Sequence, residues 1–211
     1  MSKTKIQMGG VGQINLGTIE GNFIYELTKR NDVNTIVEIG TWNGLGSTIC
    51  VLQGIIDSER FKNFVSVELY PNMYGESKFH LRDYLDYVKL LNGRIIEYED
   101  VFWFDHSIID KTIDPHANLY YESDLELLKN SENVLEHIPS EIDLLILDGG
   151  EYTTYPEWVK LKDRTKIVVL DDSRILKCSR IRKEIIESGD YKILIDELNH
   201  RNGFSCFERI S

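Results

Sequence analysis

Cysteine is scarce in this sequence, and the few cysteines that occur lie far apart. The 211 residues include three, Cys50, Cys178 and Cys206. An odd number of widely separated cysteines in apolar or mixed segments does not form a disulfide framework and is typical of reduced core thiols. The sequence therefore predicts a protein of a reducing compartment.

Long apolar runs and long basic runs are also missing. No uninterrupted apolar segment approaches the roughly 20 residues that span a bilayer, and the first residues lack the apolar core of a signal peptide. The formal net charge is −11 and the pI is about 4.9, a balance that repels a phosphate backbone. We expect a soluble, cytoplasmic protein that binds neither membranes nor nucleic acid. The sequence is compatible with a homo-oligomer.

No repeat, linker or low-complexity tract divides the chain, and its length suits one domain with a core on both faces of a sheet. We expect a single domain over residues 1–211, with 1–17 as a flexible lead-in. Hydrophobic patterns predict strands at 35–39, 64–69, 94–98, 142–147, 166–170, 191–197 and 204–208. Helices are predicted from Thr18 to about 30 and at 47–57, 77–91, 122–137, 155–162 and 178–188. This alternation indicates an α/β fold, a Rossmann-like doubly wound sheet that is mainly parallel, with a C-terminal antiparallel hairpin.

A glycine-rich loop joins the first predicted strand to the helix that follows it. Gly40 can adopt backbone conformations closed to other residues, while Gly44 and Gly46 allow a ligand to approach the free N–H groups of the helix. The spacing from Glu38 is Glu-x-Gly-x-x-x-Gly, which is neither the dinucleotide fingerprint nor a Walker loop. The pattern favours a nucleotide-like ligand, and the alternative is a tight turn that binds nothing.

Acidic residues also lie at or near the carboxyl ends of other predicted strands. Glu68 lies about twenty residues past the glycine loop, where an acid commonly binds a ribose diol; the alternative is an exposed glutamate at a strand end. Asp148 ends the fourth strand, and Asp171 and Asp172 end the fifth. Carboxylates about 4 Å apart repel by roughly 4 kcal/mol per pair at a dielectric of 20, so this cluster favours a cation such as Mg²⁺ or Mn²⁺. Otherwise one aspartate caps a helix and another is solvated.

Three stretches and one single position carry a resemblance to a known family: residues 36–48, 147–155 and 169–173, together with Glu68. They resemble class I S-adenosylmethionine-dependent methyltransferases, in particular the divalent-metal-dependent O-methyltransferases of the catechol type and the macrocin sugar type. The resemblance implies a seven-stranded sheet, S-adenosylmethionine as cofactor, and methyl transfer to a hydroxyl of a small molecule or glycan. It implies that Asp148, Asp171 and Asp172 hold Mg²⁺ or Mn²⁺. The cofactor-binding positions that it implies are Glu38, Gly40, Thr41, Trp42, Asn43, Gly44, Ser47, Thr48, Glu68, Asp100 and Asp148.

The sequence departs from the family pattern beside Asp148. Gly150 replaces the second aspartate of the Asp-Gly-Asp of the sugar enzymes, and Glu151 stands where catechol-type enzymes have a lysine base. We expect Asp148 and Glu151 to be catalytic, with Glu151 as general base. The alternative bases are His106, His116 and His200, and the aromatic residues that could stack on a sugar are Tyr120, Tyr121, Tyr152, Tyr155 and Trp158.

Two other functions share these features. An NAD-dependent oxidoreductase would also use a ribose-binding acid, although it would carry the tighter glycine fingerprint. A non-catalytic nucleotide- or S-adenosylmethionine-binding protein would keep the glycine loop and Glu68 but would not need the three aspartates.

Overall fold

The computed structural model describes residues 13–103 and 117–210. They contain one mixed sheet with strand order β3-β2-β1-β4-β5-β7-β6. The strands are β1 Thr35–Ile39, β2 Asn63–Glu68, β3 Lys89–Asn92, β4 Ile142–Leu147, β5 Thr165–Asp171, β6 Tyr191–Glu197 and β7 Phe204–Arg209. The first five are parallel, while β7 is antiparallel to both β5 and β6. The predicted fold class, with its C-terminal hairpin, is confirmed.

The described residues also form six α-helices, five of which lie between strands. They are α1 Ile19–Lys29, α2 Ser47–Ser58, α3 Pro71–His80, α4 Ala117–Asn130, α5 Thr154–Leu161 and α6 Leu176–Ser188. The predicted cap Thr18 begins α1, and its hydroxyl accepts a hydrogen bond from the Gly21 N–H. Within the described ranges, no helix has both the length and the apolar character needed to cross a membrane.

The core lies on both faces of the sheet because alternate strand residues point to opposite sides. On one face, Ile36 and Leu144 pack with residues of α1 and α2. On the other, Val37 and Leu145 pack with residues of α4, α5 and α6. All three cysteines are buried and unpaired, as the sequence predicts for core thiols.

The region around β3 differs from the prediction. The predicted helix at 77–91 and strand at 94–98 are both wrong, because α3 covers residues 71–80 and the strand covers 89–92. Pro71 occupies the first turn of α3, a position at which proline favours a helix start. Leu91 pairs with Val67 of β2, so this residue of the predicted helix face belongs to an edge strand.

The fourth helix also differs from its predicted range of 122–137. It begins at Ala117 and ends at Asn130. Asn133 then forms an isolated bridge with Arg94, and a short 3₁₀ helix follows at Leu135–His137. The predicted helical face therefore combines a helix with a separate turn.

Candidate functional site

A cavity of about 350 Å³ opens at the carboxyl-terminal edge of the parallel strands. This is the edge at which open α/β sheets bind ligands, and the volume lies within the range of small-molecule sites. Its wall comes from segments that are distant in sequence. They include residues 13–14, 39–42, 46–47, 67–70, 93–95, 148–150 and 171–172.

The glycine loop contributes only part of its predicted ligand-binding residues to this wall. Gly40, Thr41, Trp42 and Ser47 line the cavity, whereas Asn43, Gly44 and Thr48 are not among the lining residues. Gly44 has φ +80°, and a Cβ there would lie 2.8 Å from Leu81 Cδ1. Its missing side chain therefore makes room for a core leucine.

Glu38 lies beneath the loop and does not line the cavity. The carboxylate is buried and accepts hydrogen bonds from the hydroxyls of Ser47 at 2.6 Å, Thr48 at 2.8 Å and Ser66 at 2.5 Å. Burial raises the pKa of Glu38 to about 7, although the three hydroxyls oppose the shift. These contacts tie the start of α2 to β1 and β2, so Glu38 supports the loop from below.

Glu68 faces the cavity from the end of β2. Its Oε2 accepts the Trp42 N–H at 2.6 Å, and its Oε1 accepts the Tyr70 N–H at 2.8 Å. Burial raises the pKa of this carboxyl group above its ordinary value. Because each carboxylate oxygen can accept more than one hydrogen bond, both retain capacity for ligand hydroxyls.

The wall near β3 differs from what the sequence suggested. Asp100 accepts the Glu97 N–H at 2.8 Å, forms an ion pair with Lys160 at 3.1 Å, and is not a lining residue. Gly93, Arg94 and Ile95, which directly follow β3, line the cavity instead. Because β3 ends at Asn92 and not at the predicted residue 98, the residues at its carboxyl end are 93–95 and not Asp100.

Two cavity acids have no sequence motif that could have identified them. Asp124 on α4 accepts a hydrogen bond from the Tyr70 hydroxyl at 2.6 Å, and burial raises its pKa to about 6. Glu157 on α5 is buried, and this burial raises its pKa to about 8. Its Oε2 has no hydrogen-bond partner within the part of the chain that the structure describes. A buried carboxyl oxygen of this kind suits a hydrogen-bond donor supplied by a ligand.

Asp148, Asp171 and Asp172 come together as the sequence suggested, with one oxygen from each within 4.8 Å of the others. The sequence did not indicate that Lys177 would lie among them. Its Nζ lies 2.7 Å from Asp148 Oδ1, 2.7 Å from Asp172 Oδ2 and 3.8 Å from Asp171 Oδ2. Arg201 lies 3.4 Å from the same oxygen, Asp171 Oδ2.

Electrostatics keep Lys177 charged. Burial by itself lowers the pKa of Lys177, but the three carboxylates more than offset this effect and hold it well above its ordinary value. Burial and the charge of Asp148 raise the pKa of Asp171 to about 7, against the opposing effect of Lys177. The cluster therefore consists of an internal ammonium surrounded by acids.

The residues in this arrangement do not fit a divalent ion. Mg²⁺ requires oxygen ligands at about 2.1 Å in near-octahedral geometry, and the Lys177 ammonium stands between the candidate ligands. A divalent ion 4 Å from that ammonium would be repelled by about 8 kcal/mol at a dielectric of 20. The predicted metal ligands are thus gathered around a cation that the chain itself provides.

None of the predicted general bases for which the structure gives a position lines the cavity. Glu151 is half-buried and follows the lining residue Gly150, but it does not itself line the cavity. His200 lies 3.1 Å from the buried Glu20 and is not a lining residue, and His106 and His116 fall outside the described residues.

Most of the candidate sugar-stacking aromatics belong to the core. Tyr121, Tyr152 and Trp158 are buried in the core on the α4–α6 side, with Tyr121 and Tyr152 in edge-to-face contact at 5.1 Å. The Tyr155 ring packs under the Arg180 guanidinium at 3.7 Å. The Tyr120 side chain falls outside the described part of the structure. These buried rings stabilise the helix layer and offer no face to a sugar.

The class that this architecture defines is the class I methyltransferase fold, which confirms the fold that the sequence resemblance implied. SAH-bound methyltransferase PaMTH1 of Podospora anserina is similar over 90% of this chain and 78% of its own, with 15% identity and a TM-score of 0.60. O-methyltransferase TomG of Streptomyces achromogenes, solved with SAM, matches over 90% and 79%, with 13% identity and a TM-score of 0.57. The Bacillus cereus O-methyltransferase solved with SAH matches over 93% and 81%, with 14% identity and a TM-score of 0.56. No protein-family model and no curated protein sequence matches the chain.

Proposed function

We propose that this protein is an S-adenosylmethionine-dependent O-methyltransferase that acts in the cytoplasm on a hydroxyl of a small molecule or glycan. The observation that carries the proposal is the cavity at the carboxyl edge, where Glu68 faces the space between the glycine loop and residues 93–95. Similar folds solved with SAM or SAH support the choice of cofactor.

The charge of the cavity supports a cationic ligand. Among the described residues, six carboxyl groups and three basic side chains line it, and two of the basic groups, Lys177 and Arg201, are already paired with aspartates. S-adenosylmethionine carries a sulfonium, an ammonium and one carboxylate, so its net positive charge would relieve this excess of acid, whereas the pyrophosphate of NAD would add to it. Glu157, whose buried Oε2 has no hydrogen-bond partner among the described residues, is our candidate acceptor for the ammonium.

The residues can be assigned to the rest of the ligand by their chemistry. Glu68 would accept hydrogen bonds from the ribose hydroxyls, and Gly93, Ile95 and Leu128 would form the wall beside the adenine. The sulfonium of S-adenosylmethionine supplies an activated methyl group for transfer to oxygen. The protein contributes above all by positioning the acceptor hydroxyl near Asp148 and by excluding water.

Methyl transfer to a hydroxyl also requires removal of the acceptor proton. Glu151 remains our candidate base because it adjoins the lining residue Gly150. The proposed reaction uses no divalent ion, although the sequence resemblance implies one, because Lys177 stands among its predicted ligands.

The decisive experiment is calorimetric titration with S-adenosylmethionine. Glu68→Ala should weaken binding by about 1.5–3 kcal/mol, or roughly 10- to 150-fold, because a charge-assisted hydrogen bond to the ribose is lost. Glu99→Ala is the matched control, since Glu99 is exposed and does not line the cavity.

Three outcomes would count against the proposal. An unchanged dissociation constant for Glu68→Ala would remove Glu68 from the site. Tighter binding of NAD than of S-adenosylmethionine would favour the oxidoreductase alternative. Binding of S-adenosylmethionine without transfer of a labelled methyl group to any of a panel of nucleotide sugars, glycans and catechols would favour a non-catalytic binding protein.

A further inference from the structure

We propose that the ammonium of Lys177 takes the place of a divalent ion at the acceptor end of the cavity, so that the protein needs no metal there. The cation site stands on its own geometry, and only its role in methyl transfer rests on the proposed function. The inference starts from three aspartates whose oxygens are close enough to ligate one ion and whose shared space holds a lysine.

The position of Lys177 in the fold indicates a specific role for its charge. It is the second residue of α6, and a positive charge in the first turn of a helix is unfavourable because it faces the positive end of the helix dipole. The side chain is nevertheless buried, and it contacts Asp148 and Asp172 at 2.7 Å. The acids therefore compensate a placement that the helix alone would disfavour.

The backbone supports the same cluster. Asp172 has φ +55°, a left-handed conformation that costs energy for a residue other than glycine and persists where surrounding contacts hold it. Here those contacts include the ion pair from Asp172 Oδ2 to Lys177. With Arg201 beside Asp171, two positive charges offset two of the three carboxylates, so at most one negative charge remains to attract a second cation.

The substitution has a consequence for the acceptor. A metal ion chelates two vicinal hydroxyls, whereas an ammonium has three N–H donors. Two carboxylates lie at hydrogen-bonding distance from Lys177 and the third, Asp171, is too far at 3.8 Å, which leaves one donor for a ligand oxygen. The site should accept a single hydroxyl and should not require a vicinal diol.

The test is a Mn²⁺ titration followed by electron paramagnetic resonance, which needs neither cofactor nor acceptor. The wild-type protein should bind no Mn²⁺ at this site at concentrations below about 1 mM. Weak surface sites also begin to bind the ion at about that concentration. Lys177→Ala frees the three carboxylates and should bind Mn²⁺ at least tenfold more tightly than the wild type. Lys183→Ala, a change at an exposed lysine of the same helix, should behave as the wild type.

Two results would overturn the inference. One is micromolar Mn²⁺ binding by the wild type that Asp171→Asn abolishes, a measurement that requires no change at Lys177. The other is failure of a folded Lys177→Ala protein to gain Mn²⁺ binding; if that variant does not fold by circular dichroism, Lys177→Gln is measured in its place under the same criterion.

Assays of methyl transfer provide an independent test. If the proposed function holds, methyl transfer by the wild type should be unchanged in EDTA and should not depend on vicinal hydroxyls in the acceptor. Loss of activity in EDTA with restoration by Mg²⁺ would contradict the inference while leaving the methyltransferase proposal intact. Absence of S-adenosylmethionine binding would defeat the proposed function and leave the Mn²⁺ result to decide the cation site.

Discussion

Individual carboxyl groups in this protein differ sharply in their surroundings. Glu38 is satisfied by three hydroxyls below the glycine loop, whereas Glu157 is buried with one oxygen unpartnered among the described residues. Both have raised pKa values because burial disfavours the charged form. A satisfied acid of this kind stabilises the fold, while an unsatisfied one at a cavity wall is available to a ligand.

Glu157 should make stability pH-dependent in the ligand-free protein. Its folded pKa of about 8 lies above the ordinary value of 4.5, so its contribution to stability is complete below pH 4.5 and is lost as pH rises through 8. Glu157→Gln removes this loss, and the variant should exceed the wild type by roughly 2–5 kcal/mol at pH 9 and show no such gain at pH 4.5. Urea denaturation at a series of pH values measures the difference.

Glu187→Gln serves as the control for this prediction, because Glu187 is largely exposed on α6. Its stability curve should run parallel to that of the wild type. If the curve of Glu157→Gln also ran parallel to the wild type between pH 5 and 9, burial would not govern the ionisation of Glu157.

At the scale of elements, the sequence predicts poorly those helix and strand boundaries that depend on contacts with adjacent elements. The apolar residues at 79, 81, 84, 88 and 91 are compatible with a helical face, but pairing with β2 makes 89–92 a strand. Contacts between helices impose similar limits. Gly54 of α2 faces α1, and a Cβ there would lie 2.7 Å from Thr28 Cβ and 2.9 Å from the Tyr25 carbonyl oxygen.

Two glycine-to-alanine changes separate helix propensity from helix packing. Gly54→Ala should lower stability by about 1–3 kcal/mol because the added methyl overpacks the α1–α2 contact. Gly75→Ala in α3 should raise stability by up to about 1 kcal/mol, since a Cβ at this exposed position meets no atom of the described residues within 4 Å. Chemical denaturation of both variants tests the pair, and equal gains in stability would show that α1 and α2 do not pack this closely.

At the scale of the whole molecule, the cavity joins parts of the chain that no local interaction would hold together. Ile14, before α1, is buried in the core and lines the cavity together with Arg201 of the β6–β7 turn. Gln13 contacts Arg201 through its side chain. Part of the predicted lead-in therefore packs against the site, and a ligand in the cavity would lie between this segment and the C-terminal hairpin.

Cofactor binding should consequently stabilise the whole fold. At a concentration 100 times its Kd, S-adenosylmethionine should add about 2.7 kcal/mol, which corresponds to a rise in Tm of roughly 5–10 °C for a chain of this size. Differential scanning fluorimetry measures the shift, and NAD at the same concentration is the control. A comparable shift with NAD, or none with S-adenosylmethionine, would contradict the assignment of the cavity.

The sequence by itself determined the fold class and the positions of most strands. β1, β2, β4, β5 and the hairpin were predictable because each is a compact apolar run between turn signals, and these patterns are local. Placement of Glu68 and the three aspartates at one edge followed, because carboxyl ends of parallel strands share an edge of the sheet.

The contacts that those side chains make depend on the tertiary structure. Lys177 reaches the aspartates because α6 starts directly after the loop that follows β5, and the depth of a side chain at a helix start cannot be derived from sequence spacing. Gly44 turns toward Leu81 and Glu38 lies below the loop because neighbouring elements occupy the space on those sides. The identity of a residue is local information, whereas its solvation and its partners depend on segments that are distant in the chain.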